Sequence, residues 1–297
     1  MWDIREYRES DVGRLFEYWN RLGGDIPYFF PVSTRTWEKC LLHDQRDGEP
    51  MFEDLHTRVA MDGGQVVGFV QYGQPSFAWE ERGERCQNPQ IGVVRQLYFC
   101  EGRDEVGEAL LVEADAQLAR FNQTHAFYHA LGMSCTAHHG KLHHSQRHVH
   151  RLLRSWGFQS EHENVYCVLD LVPPSPVEDS PLWIRTDAET DGERFEIRLG
   201  AERVGGARVR YVDKLTDGCA PDTAYLSWVG VDEAYRGRGI GAEFLKWLIG
   251  FLVAKGYCTL HVDTARENAV ARRLYGKLGF QEVGWTRSYV RLGEALG

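Results

Sequence analysis

The chain has 297 residues, 43% of them apolar, enough for one large or two ordinary cored domains. A formal net charge of -9 argues against a nucleic-acid or anionic-membrane partner, no apolar run is long enough to span a bilayer, and the first residues carry no signal-peptide pattern. Seven cysteines (Cys40, Cys86, Cys100, Cys135, Cys167, Cys219 and Cys258) lack any CxxC spacing, which fits buried thiols in a reducing cytoplasm better than a disulfide framework.

In chain order, Trp2–Tyr7 reads as a strand, and Ser10 as the N-cap of a helix reaching about Leu22. A second helix is expected from Ser33 to about His43. Strands Thr57–Met61 and Gln65–Tyr72 follow, joined by the turn Asp62-Gly63-Gly64. After the loop "WEERGERCQNP" come strand Ile91–Phe99, a helix from Asp104, the strand "HAFYHAL" and a helix closing in Trp156-Gly157-Phe158.

"VPPSPVEDSP", Val172 to Pro181, is the clearest linker, because its prolines forbid helix and disfavour central strands. It sets the expected domains at 1–172 and 182–297, with 173–181 between them. The first 172 residues hold 17 Lys+Arg against 25 Asp+Glu, so most of the excess negative charge lies there.

The second half reads as strand Leu182–Thr186, hairpin Arg194–Gly200 and Gly205–Val212, strand Ala224–Val231, and a glycine loop. Helix Ile240 to Ala254, strand "YCTLHV", a helix closing in Leu278-Gly279-Phe280 and two strands complete it. About seven residues separate its first strand from the hairpin, too few for the helix pair found in the first half. Both halves end alike, in "SEHENVYCVLDL" and "QEVGWTRSYVRL", which points to a drifted internal duplication.

Between Val231 and Ile240 the chain offers successive N–H groups with few Cβ atoms in the way. Glycines let an anion approach, a helix N-terminus contributes about half a positive charge, and Arg236 and Arg238 add more. That pattern makes a pyrophosphate cradle. The spacing of a P-loop is missing, and so is the parallel βαβ context of a dinucleotide fingerprint.

Arg236-Gly-Arg-Gly239-Ile-Gly241 resembles the first signature of the GNAT superfamily of acyl-CoA-dependent N-acyltransferases. "ENAVARRLYGKLGF", Glu267 to Phe280, resembles the second. The strict match covers about Ala224 to Val290, and the first half resembles the same fold by element order alone. The resemblance implies an α/β (α+β) fold with two GNAT-like domains, each a mixed, mostly antiparallel sheet flanked by helices.

It also implies roles. The N–H groups of Arg236, Gly237, Arg238, Gly239, Ile240, Gly241 and Ala242 would hold the pyrophosphate of acetyl-CoA. Backbone groups of Val229 and Val231 would pair with its pantetheine arm and hold the oxyanion of a tetrahedral intermediate. Asn268 would contact the arm or cap a helix. Tyr275 would protonate the leaving thiolate, a phenol suiting a thiol of comparable basicity. His261, Asp263, Glu196 and Tyr225 are weighed as bases, each more readily structural than catalytic.

Aligning Gly107 with Gly241 puts Glu105 at Gly239, where a carboxylate repels phosphate; aligning Gly157 with Gly279 puts Leu153 at Tyr275 and Gln146 at Asn268. The first half is therefore expected to bind no acyl-CoA. "CTAHHGKLHHSQRHVH" contains His144 and His148 at a helical i, i+4 step, weighed as a metal pair against a polar surface helix; no metal is expected. Trp19 and Trp37 fit lid or core aromatics. The expected function is acetyl transfer to a primary amine of a small molecule, in the cytoplasm, by a monomer or homodimer. The alternatives are a non-catalytic CoA sensor and an enzyme acting on protein amines.

Overall fold

The computed structural model describes residues 1–46, 48–79, 84–137, 140–172 and 181–293. The linker at 173–181 lies almost wholly outside them. The chain forms two compact units, 1–163 with 286–297, and 164–285.

The first unit begins with β1 (Trp2–Glu6), α1 (Val12–Gly23), α2 (Thr34–Leu42) and the small hairpin β2 (Gln45–Arg46) and β3 (Glu49–Pro50). Long strands β4 (Phe52–Asp62) and β5 (Gln65–Pro75), hairpin β6 (Phe77–Trp79) and β7 (Arg85–Gln87), and β8 (Gly92–Phe99) follow. Then come α3 (Asp104–Leu118), β9 (Gln123–Ala126), β10 (Leu142–His143), α4 (Arg147–Ser155) and the start of β11 (Gln159–Asp170). Sheet order is β1-β4-β5-β8-β9, followed by the chain's final strand from residue 286 onward. Its pairs are antiparallel except β8 with β9.

The second unit takes residues 164–170 of β11 and continues with β12 (Leu182–Glu189), β13 (Gly192–Leu199), β14 (Glu202–Tyr211), the short α5 (Val212–Leu215) and β15 (Thr223–Val231). It ends with α6 (Ile240–Ala254), β16 (Thr259–Ala265), α7 (Ala269–Lys277) and β17 (Gln281–Leu292), which enters the first unit at Thr286. Sheet order is β11-β16-β15-β14-β13-β12, antiparallel except β15 with β16. Val165 and Cys167 of β11 therefore pack into this unit's core, with Phe195, Ile197, Val209, Leu226 and Val262. Ile240, Phe244, Leu245, Leu248 and Leu252 form the apolar stripe of α6 that covers that core. Removing a ring such as Phe244 costs about 3–5 kcal/mol.

Several elements differ from the sequence expectation for identifiable reasons. The Asp11 carboxylate pairs with Arg5 at 2.6 Å and accepts the Arg8 N–H at 2.9 Å, making a 3-10 turn at Glu9–Asp11, so α1 starts after it rather than at Ser10. Ser33 does cap α2, accepting from Thr36 at 3.2 Å. The strand in "HAFYHAL" stops at Ala126, because Phe127 adopts a left-handed φ of 54°. "YCTLHV" starts its strand only at Thr259. "QEVGWTRSYVRL" is one strand rather than two. Only Thr190 and Asp191 separate β12 from β13. Cys40, Cys135 and Cys167 are buried, whereas Cys219 and Cys258 are exposed, and all seven thiols are free.

Candidate functional site

The site in the second unit is built where β15 leaves β16. The two strands pair in parallel from Thr223 with Thr259 to Leu226 with Val262, and their pairing ends there. β15 continues along β14 as far as Val231, with a register shift that leaves Ser227 bulged. The Asp232 N–H donates to Val204 of β14 at 2.9 Å. Backbone groups alternate along a strand, so those of Val229 and Val231 face the opening edge instead.

The loop after β15 turns at Glu233–Tyr235 and reaches α6 through Gly237 (φ 77°) and Gly239 (φ 82°), the helix N-cap. Both glycines hold left-handed conformations that any side chain resists. The first N–H of α6 with a backbone acceptor is that of Glu243, bonded to Gly239 at 3.1 Å. Among the described residues, those of Gly237 to Ala242 bond to no carbonyl, whereas the Arg236 N–H, expected in the same row, donates to the Glu233 carbonyl at 3.2 Å across the turn. Together with the positive end of the helix they form a concave set of donors. Arg236 Nε donates to the Val231 carbonyl at 3.0 Å, and Arg238 sits over the Tyr235 ring at 5.2 Å, which holds both guanidinium groups at the loop. The donor set fits a pyrophosphate.

α7 closes the other side. A Cβ on Gly241 would lie 3.6 Å from Leu274 and 3.7 Å from Val231, so β15, α6 and α7 meet at that point. Asn268 is the N-cap of α7, its Oδ1 accepting from the Ala271 N–H at 3.1 Å and its Nδ2 donating to Thr264 at 3.2 Å. Tyr275 is 4% exposed and packs on Phe280 with ring centroids 5.3 Å apart. Burial, then the negative charge of Asp263 and the nearby Cys167 thiol, push its hydroxyl far above the ordinary phenol range. It keeps its proton at physiological pH.

The weighed bases prove well occupied. Asp263 accepts from Tyr225 at 2.5 Å and from Asn164. His261 shares a 2.9 Å hydrogen bond with Tyr166, and burial drops its pKa to about 4. Tyr166 and Tyr225 stack with centroids 6.5 Å apart. Glu196, on β13 of the same sheet, is held ionised by Arg198 at 2.6 Å. Asn164 and Tyr166 were invisible as site residues in the sequence, because they lie before the linker and only the exchange of strands brings them here.

The first unit repeats the plan without the opening. β8 and β9 pair from Gly92 with Thr124 to Val94 with Ala126, and the register shift leaves Arg95 where the second unit has Ser227. Arg95 is 1% exposed and bonds to Asp44 and to the carbonyls of Cys40, Leu131 and Gly132. The loop from β8 to α3 has four residues, 100–103, and its helix start aligns Glu105 with Gly241 rather than Gly239. Gly107 serves packing, since a Cβ there would lie 2.4 Å from the Phe99 ring. Gln146 occupies the N-cap position of α4 as Asn268 does that of α7, but its side chain makes no cap bond, and buried Leu153 stands where Tyr275 does.

The histidines correct both sequence alternatives. His144 sits in a turn ahead of α4, so it shares no helix face with His148. His148 and His150 are buried, the first bonded to the Phe99 carbonyl at 2.8 Å, the second to Tyr289 and, at 3.0 Å, to the His143 carbonyl. Among the described residues no three His, Cys, Asp or Glu side chains cluster as a metal site; His138 and His139 lie outside them. Trp19 and Trp37 are core aromatics, Trp19 stacking on Phe29 at 3.7 Å. Among the described residues no helix is long and apolar enough to cross a membrane.

Comparison with known proteins agrees with this geometry. The model of the acetyltransferase (GNAT) family matches residues 160–280. The N-alpha-acetyltransferase RimI of Mycobacterium tuberculosis is 38% identical over 94 residues, 31% of this chain and 58% of that protein. The [Ribosomal protein bS18]-alanine N-acetyltransferase of Escherichia coli K12 is 38% identical over 68 residues, 23% of this chain and 46% of that protein. The chain thus spans about half the length of the curated relatives it matches. In fold, it resembles a tandem GNAT protein from the clavulanic acid biosynthesis pathway over 100% of both chains, with a TM-score of 0.67 at 13% identity. A GCN5-related N-acetyltransferase from Sphaerobacter thermophilus has a TM-score of 0.64 at 13% identity, over 98% of this chain and 95% of that one. Residues 160–280 thus match an acetyltransferase (GNAT) family domain, and the chain as a whole shares the fold of a tandem GNAT protein.

Proposed function

We propose that the protein is an N-acetyltransferase that moves an acetyl group from acetyl-CoA to the primary amine of a small molecule. Residues after the expected linker at 173–181 carry the transfer, completed by 164–170 of β11, the degenerate copy before the linker takes back 286–297, and the protein acts in the cytoplasm. The single observation that carries this reading is the row of unbonded N–H groups from Gly237 to Ala242 beside an opened strand edge. Those groups, with Arg236 and Arg238, hold the pyrophosphate, and Val229 and Val231 face the thioester arm. Asn268 adds a contact to the arm from the mouth of α7. Acetyl-CoA supplies the activated acyl group. Tyr275 holds a proton through the physiological range and donates it as the thiolate leaves. A pure CoA-sensing protein has no use for that buried hydroxyl.

A second reading, acetylation of a protein N-terminus, is favoured by the names of the relatives matched over the same segment. The test is thiol release from acetyl-CoA across a panel of small amines and an alanine-terminated peptide. Release with small amines supports the first reading, release with the peptide alone supports the second, and CoA binding without release with any acceptor defeats both.

A further inference from the structure

The duplication places a histidine at the same register in both units. In the second unit Tyr225 pairs with His261 two residues before the bulge, and Tyr166 hydrogen-bonds that histidine and stacks with Tyr225. In the first unit the equivalent pair is Val93 with His125. Beside this second histidine a cavity of about 540 Å³ opens.

The walls of the cavity are prepared. Trp79 and Ile91 give it apolar surface. Tyr128 accepts the Trp79 N–H at 3.3 Å and donates to the Trp79 carbonyl at 3.1 Å, which fixes hairpin β6–β7 against it. The His125 ring lies 4.8 Å from the Tyr128 ring. Glu161 accepts from His125 Nδ1 at 3.1 Å. Burial raises the Glu161 pKa, but the His125 hydrogen bond and the charges of His125, His162 and Lys141 outweigh that, and the carboxyl stays below its usual range. An ionised carboxylate can only accept, so His125 Nδ1 carries a proton. Glu84 is a second carboxylate in the lining, and among the described residues the lining contains neither lysine nor arginine, the nearest guanidinium being that of Arg46 over the Trp79 ring at 5.4 Å.

We propose that this cavity is a binding site for an organic primary ammonium ion with an apolar, ring-sized body. The ammonium is attracted by the carboxylates of Glu161 and Glu84, and its body packs on Trp79 and Tyr128, whose faces favour cations. A volume of this size suits a small-molecule ligand. The site belongs wholly to the first unit and does not depend on acetyl transfer by the second.

The probe is 2-phenylethylamine hydrochloride, titrated calorimetrically into the full-length protein without acetyl-CoA. Saturable binding at one site is expected. Binding should weaken about tenfold or more in Glu161→Gln, the loss of one charge-assisted contact. Uncharged 2-phenylethanol should bind weaker than the amine by a similar factor, and Tyr275→Phe should bind the amine as the parent does. A melting temperature within a few degrees of the parent shows that Glu161→Gln is folded; should it not be, Glu84→Gln replaces it with the same expected direction. No saturable binding at millimolar amine overturns the proposal. Equal affinity for amine and alcohol, affinity indifferent to the carboxylate variants, or binding lost only in Tyr275→Phe overturns it too.

Discussion

His148 Nε2 bonds to the Phe99 carbonyl at 2.8 Å, and the two rings meet edge to face with centroids 4.7 Å apart. In the repeat, Phe99 corresponds to Val231 and His148 to Val270, which is 78% exposed. The cleft that stands open in the second unit is therefore stitched shut in the first. Calorimetric titration should give one acetyl-CoA per chain, with Gly239→Glu abolishing it by setting a carboxylate among the donors. Two molecules per chain, or one that survives Gly239→Glu, contradicts this.

Gly237 and Gly239 should tolerate alanine poorly for a conformational reason alone. A Cβ at either position meets nothing within 4 Å, yet both residues hold a left-handed φ. Each change should lower stability by about 1 kcal/mol and distort the donor row, weakening acetyl-CoA binding. Gly241→Ala makes only ordinary contacts in a helical conformation, and binding should be nearly kept. Comparable affinities for all three variants would show that the donor row does not hold the ligand.

Tyr275→Phe should lower turnover by about 10²–10⁴-fold while leaving acetyl-CoA affinity within a few fold. The hydroxyl is pushed upward by burial, Asp263 and Cys167, so it stays protonated through neutral pH, and its loss should lower the rate evenly from pH 6 to 9. Unchanged turnover in Tyr275→Phe would make the residue a packing tyrosine.

The parts of this architecture that follow local rules were legible in the sequence. The apolar stripe of α6, the Ser33 cap, the glycine loop and the register from Asn268 to Phe280 are short-range patterns. What was missed depends on long-range pairing. Nothing local shows that Asn164 and Tyr166, before the linker, pair with β16, or that Thr286 onward pairs with β9 and β10. Phe127 looked like strand by composition and ended one by its backbone. His148 and His150 looked solvated, but tertiary partners across the unit bury them.

The exchange of strands has a direct consequence for truncation. A fragment of residues 182–297 keeps the glycine loop and Tyr275 but loses 164–170, the strand beside β16, with core residues Val165 and Cys167. An unpaired edge on β16 and an opened core should prevent cooperative unfolding. Residues 164–285, which match the compact unit, should unfold cooperatively in urea. A cooperative transition for 182–297 equal to that of 164–285 would show that the exchanged strand is dispensable.

Three buried histidines set the acid side of the stability curve. His261 and His150 are lowered to about 4 and His143 to about 3, each chiefly by burial. His261 faces Tyr166; His150 faces Tyr289 and the His143 carbonyl, with Arg287, His144 and Glu163 acting on it; His143 faces Ser145, His144 and His150. In the unfolded chain each titrates near 6.5. Below that pH the unfolded chain binds protons that the folded chain refuses, so stability falls as pH drops from about 6.5 toward 4. Each unit of separation is worth about 1.4 kcal/mol per group, and three groups make the loss several kcal/mol by the low end of that window. The carboxylates held low by arginine partners, such as Asp11, Glu196 and Glu282, lose stability only below their own unfolded values near 4, so a comparison at pH 7.5 and pH 5 isolates the histidines. The urea midpoint should be clearly lower at pH 5. A midpoint that is unchanged or higher there would mean that these rings are protonated in the folded protein, with the carbonyl and hydroxyl partners rearranged to accept.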